Sequence, residues 1–224
     1  MPAATNSWID VTAEKFNYSL EHFVIPKHYE NDLQSVMIPN GLVMDRIEKL
    51  ARMIVDDTRG QQPLVVCCVL KGGHQFFADL VNFMKKCVTK QGSNVPLSLE
   101  FIKVKSYEND QSTGNVKISL TDEELAEFKG RDLLIVEDII DTGRTMVRLL
   151  DRLKAFEPAS VRVTSLLLKK TPLSCGYIPD YVGFAIPDAF VVGYALDYNE
   201  HFRDLDHICV INDTGKAKYA VKEA

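Results

Sequence analysis

The sequence predicts an α/β fold in which a doubly wound parallel sheet is flanked by helices and covered by a small irregular region. Three short, mostly apolar runs have the length of strands that are buried on both faces: Leu64–Leu70, residues 133–136 and residues 161–168. Segments with apolar residues at helical spacing separate these runs. Such alternation is typical of βαβ units and of a parallel sheet.

The first forty residues, 1–40, are irregular and contain scattered aromatic side chains, so we expect an extension that packs on the main body. Asn40 is a candidate N-cap for the first helix, and Gly60 is a candidate stop signal. One face of this helix carries four apolar residues: Val43, Ile47, Leu50 and Ile54.

The apolar run Leu64–Leu70 ends at two glycines, and a second helical pattern follows, with Phe76, Phe77, Leu80, Val81 and Met84 on one face. An alternating strand then leads into a polar tract at residues 105–117, which is typical of an exposed hairpin or a flexible loop.

The run at residues 133–136 leads through a polar turn into a third helix, which Pro158 ends. Its apolar face is formed by Met146, Leu149, Leu150 and Leu153. Residues 175–211 contain strand-like pieces without long helices between them. We expect this segment to contribute to a hood over the carboxyl ends of the sheet.

The composition is that of a globular protein and argues against several other classes. The 224 residues are 46% hydrophobic and 25% charged, which suits a core that needs no disulfides. The five cysteines form no CxxC pair, and an odd number without a framework favours a reducing compartment. No secretory signal or bilayer-length apolar run is seen, and the net charge is −5. We therefore expect a cytoplasmic protein that binds neither membranes nor nucleic acid.

The polar turn after residues 133–136 has the features of a phosphate site. Two carboxylates, Glu137 and Asp138, are followed by the run Asp141, Thr142, Gly143, Arg144 and Thr145 at the start of a helix. Ligands of open α/β sheets bind where strands end, and helix N-termini bind phosphate through free N–H groups and the helix dipole. The Walker A pattern is absent, which disfavours nucleoside triphosphate hydrolysis. A plain structural turn with an Asp N-cap remains the alternative.

The segment VEDIIDTGRT resembles the phosphoribosyl-diphosphate signature of the purine phosphoribosyltransferases, most specifically of the hypoxanthine-guanine phosphoribosyltransferase family. The similarity extends over residues 29–219. It includes five further segments: residues 69–73, 105–114, 165–172, 190–199 and 202–204.

The resemblance implies that residues 1–224 form one domain of the type I phosphoribosyltransferase fold. It also implies a purine-salvage reaction in which a 6-oxopurine base displaces pyrophosphate from phosphoribosyl diphosphate and gives a nucleoside monophosphate. Magnesium would be the cofactor, and the protein would be a homodimer or a homotetramer.

The resemblance assigns roles to the residues of the turn. Asp141 would accept or steer the proton on purine N7, and residues 141–145 would hold the 5′-phosphate. Glu137 and Asp138 would bind the ribose hydroxyls and assist the magnesium shell. Without the resemblance, Asp141 would be a helix N-cap and the other two a solvated turn.

Other matching residues would bind the pyrophosphate. Lys71 and Gly72 lie in a loop where the Leu70–Lys71 peptide can be cis, and Arg203 suits a bidentate clamp on phosphate oxygens. Ser106 and Tyr107, in the tract at residues 105–117, would close as a lid. Taken alone, Lys71 would belong to a strand-to-helix turn and Arg203 to a surface ion pair.

A third group would bind the base and the metal. The Lys169 ammonium, which has only donors, would pair with the O6 acceptor and disfavour the 6-amino group of adenine. Phe190 would stack on the purine, the Val191 carbonyl would accept from its edge, and Asp197 would be the direct Mg²⁺ ligand. In the alternative interpretation Lys169 ends an exposed strand and Phe190 is an ordinary core residue.

The sequence departs from the family pattern at Arg144, where a lysine is common, and at His74 and Lys170, which leaves fine substrate preference open. A non-catalytic, regulatory nucleotide-binding relative is one alternative, and a transferase for another base is a second. The first is disfavoured by four residues: Lys71, Asp141, Lys169 and Asp197. Lys169 and Phe190 discriminate against the second.

Overall fold

The computed structural model describes residues 8–58, 62–105 and 117–221. The strands are β1 (Ile9–Asp10), β2 (Leu33–Ile38), β3 (Leu64–Leu70), β4 (Leu97–Lys105), β5 (Lys117–Ile118), β6 (Asp132–Ile140), β7 (Ser160–Lys169), β8 (Tyr181–Ile186), β9 (Val191–Val192) and β10 (Ile208–Ile211). The α-helices are α1 (Asn40–Asp57), α2 (His74–Met84), α3 (Asp122–Ala126), α4 (Arg144–Lys154) and α5 (Asp213–Lys218).

The main sheet of the described part of the chain has the order β1-β8-β7-β6-β3-β4-β5. Every neighbouring pair is parallel except β4 and β5. The predicted parallel α/β sheet is therefore confirmed, with one short antiparallel strand added at its edge. Each apolar run that the sequence singled out lies in this sheet, as β3, β6 and β7.

Helices cover both faces of the main sheet. Along β3, Val66 and Cys68 pack with α1 and α2, whereas Val65 and Cys67 pack with α3 and α4. Alternate side chains of a strand point to opposite faces, so both sets of β3 side chains enter an apolar core. This double coverage explains why β3 is a continuous apolar run.

A second, smaller sheet has the order β2-β10-β9 and is antiparallel. Residues 175–211 are thus divided, because β8 lies in the main sheet and only β9 and β10 join the smaller one. The first forty residues are divided in the same way, since β1 pairs with β8 and β2 pairs with β10.

Asn40 is the first residue of α1, and the N-cap position belongs to Pro39, so the predicted Asn40 cap is wrong. Asn40 instead ties the helix to the segment before β10. Its backbone N–H donates to Nδ1 of His207 at 3.0 Å, and its amide nitrogen donates to the Asp206 carbonyl at 3.1 Å. The helix ends at Asp57, and Gly60 lies outside the described residues.

No described helix is long and apolar enough to cross a bilayer. All five cysteines are unpaired thiols, and three of them (Cys67, Cys68 and Cys209) are buried. Burial raises the pKa of each of these three thiols to about 12, so they stay protonated at neutral pH and are poor nucleophiles.

Candidate active site

Most of the predicted site residues meet at the carboxyl ends of β3, β6 and β7, beside the smaller sheet. A cavity of about 180 Å³ at this place is lined by Asp138, Ile139, Asp141, Lys169, Phe190, Val191, Leu196 and Asp197. Ligands of open α/β sheets bind at this edge, which has strand ends on one side and helix N-termini on the other.

The predicted phosphate turn joins β6 to α4. Gly143 is the N-cap of α4 and has a left-handed φ of 79°. A side chain there would be strained, and its Cβ would lie 3.0 Å from Cβ of Tyr177 and 3.1 Å from Sγ of Cys175. Asp141 lies two residues before this N-cap, so the interpretation of Asp141 as a helix cap is wrong. Its carboxylate is 55% exposed and available for other contacts.

Asp141 and Lys169 form an ion pair in the cavity. The distance between Lys169 Nζ and Asp141 Oδ2 is 3.0 Å, and the lysine side chain is only 11% exposed. The pairing of β6 with β7 brings them together, because Ile140, the last residue of β6, lies opposite Leu168. Asp141 follows Ile140 in the chain, and Lys169 follows Leu168 at the end of β7. Lys169 is thus a desolvated donor group rather than an exposed strand end.

Glu137 and Asp138 lie side by side near the end of β6. The Asp138 N–H donates to Glu137 Oε1 at 3.1 Å, and the Ile139 N–H donates to Asp138 Oδ1 at 2.7 Å. Burial raises the pKa of Glu137 well above its ordinary value, and the charge of Asp138 adds to the shift. Two full negative charges are therefore unfavourable here without partners, and hydroxyl donors or a cation would be suitable ones.

The loop after β3 packs directly on Asp138. The Leu70–Lys71 peptide bond is cis, as the resemblance implied. A Cβ added at Gly72 would lie 1.6 Å from Asp138 Oδ2, so only glycine leaves room for this carboxylate. Gly73 then serves as the N-cap of α2.

Arg203 and Asp197 also form an ion pair, with Nη2 and Oδ1 2.8 Å apart. Arg203 Nη1 donates to the Ala195 carbonyl at 2.7 Å, while Asp197 Oδ2 accepts the N–H of Glu200 at 2.8 Å. The predicted pyrophosphate and metal residues are therefore neighbours. Asp138, Asp141 and Asp197 line one cavity, but no group of three or more His, Cys, Asp or Glu side chains in the described part of the chain is placed to hold a metal ion by itself. Carboxylate oxygens such as that of Asp197 are ligands that Mg²⁺ accepts, so a bound ion would need further oxygens from substrate or water.

Phe190 is 45% exposed at the cavity edge, and its ring meets that of Tyr198 edge-on at 5.2 Å. The alternative of an ordinary core residue does not hold. Val191 is buried in β9, where it pairs with Val210. Ser106 and Tyr107, the predicted lid residues, lie outside the described residues.

Two side-chain contacts near the site were not predicted from the sequence. The fully buried Tyr194 donates its hydroxyl hydrogen to Asp79 Oδ2 at 2.5 Å, which connects α2 with the segment between Val191 and Asp197. Glu200 contacts Lys71, with Oε2 and Nζ 2.7 Å apart. Both contacts join residues that are distant in sequence, so no local pattern could indicate them.

Comparisons with known proteins identify the family of the chain. Residues 38–199 match the family model described as phosphoribosyl transferase domain. The hypoxanthine-guanine phosphoribosyltransferase of Bos taurus is 52% identical over 217 residues, which cover 97% of this chain and 99% of that protein. The enzyme of that name from Homo sapiens is 51% identical over the same coverage.

The fold of the chain is also similar to that of a solved structure. The crystal structure of hypoxanthine-guanine phosphoribosyltransferase from Schistosoma mansoni in complex with IMP superimposes with a TM-score of 0.79 and 39% sequence identity. The match covers 95% of this chain and 98% of that chain. The resemblance seen in the sequence motifs is confirmed, and the chain belongs to the phosphoribosyltransferase family, among the hypoxanthine-guanine phosphoribosyltransferases.

Proposed function

We propose that this enzyme transfers the 5-phosphoribosyl group of phosphoribosyl diphosphate to hypoxanthine or guanine in purine salvage. The products are IMP or GMP and pyrophosphate. The observation that carries the proposal is the Lys169–Asp141 pair in the cavity beside Phe190, in a chain about half identical to named enzymes of this activity.

The pair matches one edge of a 6-oxopurine, on which O6 and N7 lie side by side. Lys169 Nζ donates to O6, while Asp141 Oδ2 accepts the proton of N7. Because the two groups are 3.0 Å apart, one base can contact both at once. Phe190 stacks on the ring, and the Val191 carbonyl accepts from the opposite edge.

Asp141 acts on the proton that leaves N7 when the base attacks the anomeric carbon. The 5′-phosphate binds at residues 141–145, where the first N–H groups of α4 are not paired within the helix. Arg144 keeps the positive charge of the usual lysine at this turn. Glu137 and Asp138 accept hydrogen bonds from the ribose hydroxyls.

Lys71, Gly72 and Arg203 bind the pyrophosphate. Asp197 would hold Mg²⁺ and Glu137 and Asp138 would assist; such an ion would supply positive charge beside the leaving pyrophosphate. Lys71 and Arg203 stabilise the negative charge of the leaving pyrophosphate with their own positive charges.

The protein forms a homodimer or a homotetramer in this proposal. Leu99 and Phe101 point to the same face of β4 and are 42% and 50% exposed, which supports contact with a second subunit. The five unpaired thiols support a reducing compartment such as the cytoplasm.

A base-competition assay tests the proposal. Purified enzyme receives phosphoribosyl diphosphate with hypoxanthine, guanine, xanthine or adenine, with magnesium or with a chelator. We expect IMP and GMP to form only with magnesium, and adenine to react roughly 5- to 150-fold less efficiently, which corresponds to a mismatch of about 1–3 kcal/mol at the 6-position of the base. Binding without turnover would indicate a regulatory relative, and equal use of adenine would indicate a different base specificity.

A further inference from the structure

A carboxylate of the chain lies between the two cations assigned to pyrophosphate. Glu200 Oε2 is 2.7 Å from Lys71 Nζ, and Glu200 Oε1 is 3.4 Å from Arg203 Nη2. One side-chain anion thus contacts both cations, as the oxygens of a diphosphate would.

The backbone around Glu200 directs it toward these cations. Asn199 and Glu200 have left-handed φ angles of 50° and 69°, which non-glycine residues adopt only occasionally. Tyr198 and His201 close the turn with two backbone hydrogen bonds of 3.1 Å, and the Glu200 N–H donates to Asp197. Such backbone outliers cluster at functional sites, where the surrounding contacts maintain them.

We propose that Glu200 is a substitute anion that contacts the two cations of the pyrophosphate subsite and is displaced when a diphosphate binds. The inference rests on the proposed function, because it uses the assignment of Lys71 and Arg203 to the pyrophosphate. Glu200 competes with the diphosphate of the substrate for these cations and returns to them as pyrophosphate leaves.

The exposure of these side chains makes the exchange feasible. Lys71 is 60% and Glu200 63% exposed, and contacts between exposed charges are weak. A diphosphate has more charge and more acceptor oxygens than a carboxylate, and therefore replaces it.

The test compares Glu200→Gln with the wild-type enzyme. Glutamine has the same shape without the charge. We expect the Kd for pyrophosphate with magnesium, measured by calorimetry, and the KM for phosphoribosyl diphosphate each to fall roughly threefold. The KM for hypoxanthine should not change. Since salt screens the intramolecular contact, the difference from wild type should shrink as ionic strength rises.

A matched control is Glu157→Gln. Glu157 pairs with Lys129 at 2.5 Å with similar exposure, near the start of β7 and hence at the opposite edge of the main sheet. This variant should leave both constants unchanged.

Weaker or unchanged pyrophosphate binding in Glu200→Gln would overturn the inference. Lys71→Gln separates this result from failure of the proposed function. If Lys71→Gln weakens pyrophosphate binding, the subsite is placed correctly and the Glu200 result stands by itself. If Lys71→Gln binds pyrophosphate as wild type does, the subsite lies elsewhere and the inference falls with that assignment.

Discussion

The ammonium of Lys169 lies 3.0 Å from the carboxylate of Asp141, at the adjacent ends of β7 and β6. In the ligand-free protein each group satisfies the other. In the proposed complex Lys169 donates to O6 of the purine and Asp141 accepts from N7. The ion pair therefore lies where the edge of the base that carries O6 and N7 would bind. The first prediction removes the lysine side of this pair.

Lys169→Gln should weaken the preference for 6-oxopurines. An amide can donate to O6 or accept from a 6-amino group, so the penalty of about 1–3 kcal/mol against adenine should largely disappear. The measurement is the ratio of kcat/KM for hypoxanthine to that for adenine. Lys170→Gln is the control, because the Lys170 ammonium lies 4.4 Å from the Trp8 ring centroid. If both variants keep the wild-type ratio, Lys169 does not select the base.

Gly72→Ala should disturb Asp138 and weaken binding of phosphoribosyl diphosphate. The new Cβ would lie 1.6 Å from Asp138 Oδ2, so the carboxylate or the loop must move. We expect the KM for phosphoribosyl diphosphate to rise at least tenfold, the equivalent of about 1.4 kcal/mol. Gly41→Ala is the control, since no atom lies within 4 Å of its added Cβ. An unchanged KM in Gly72→Ala would mean that this close packing has no role in binding.

Asp197→Asn should raise the magnesium concentration needed for half-maximal activity. The amide keeps an oxygen for the Glu200 N–H but loses the charge that attracts the cation. Asp213→Asn, which removes a charge paired with Lys216 at the exposed start of α5, should not alter this concentration. Equal magnesium dependence in the two variants would exclude Asp197 as a metal ligand.

The centre of the main sheet could be predicted because β3 and residues 133–136 of β6 are buried on both faces. Such burial favours apolar residues at every position, as in Leu64–Leu70, and leaves a clear pattern in the sequence. The smaller sheet could not be predicted in the same way. It joins β2 to β10 from opposite ends of the chain, and its third strand, β9, has only two residues. Periodicity has no meaning over two residues.

The candidate site residues that could be proposed from the sequence lie in local motifs, such as the segment of residues 136–145. Glu200 differs because a glutamate after an asparagine is ordinary on any protein surface. Its contact with Lys71 depends on a turn with two left-handed residues, and no local rule predicts these for Asn199 and Glu200 together. Asn40 was misassigned for a related reason, since its partner His207 is distant in sequence.

The final prediction separates chemistry from binding at Asp141. Asparagine has nearly the same shape and can still accept a hydrogen bond from Lys169, but it cannot take a proton at neutral pH. Because Gly143 is the N-cap of α4, the substitution also leaves helix capping unchanged. A positioned base contributes roughly 10²–10⁴-fold to the rate, so turnover of Asp141→Asn should fall by that factor. Affinity for IMP and thermal stability should stay close to wild type.

Thr142→Ala should give the opposite result. Loss of the hydroxyl removes a donor to the 5′-phosphate and should weaken IMP binding by about 1 kcal/mol, with a smaller effect on the chemical step. Single-turnover kinetics and calorimetry with IMP distinguish the two variants. A purely structural role for Asp141 would lower stability, binding and turnover together. Wild-type turnover on hypoxanthine by a stable Asp141→Asn protein would falsify the assignment, and the N7 proton would then have to leave through water.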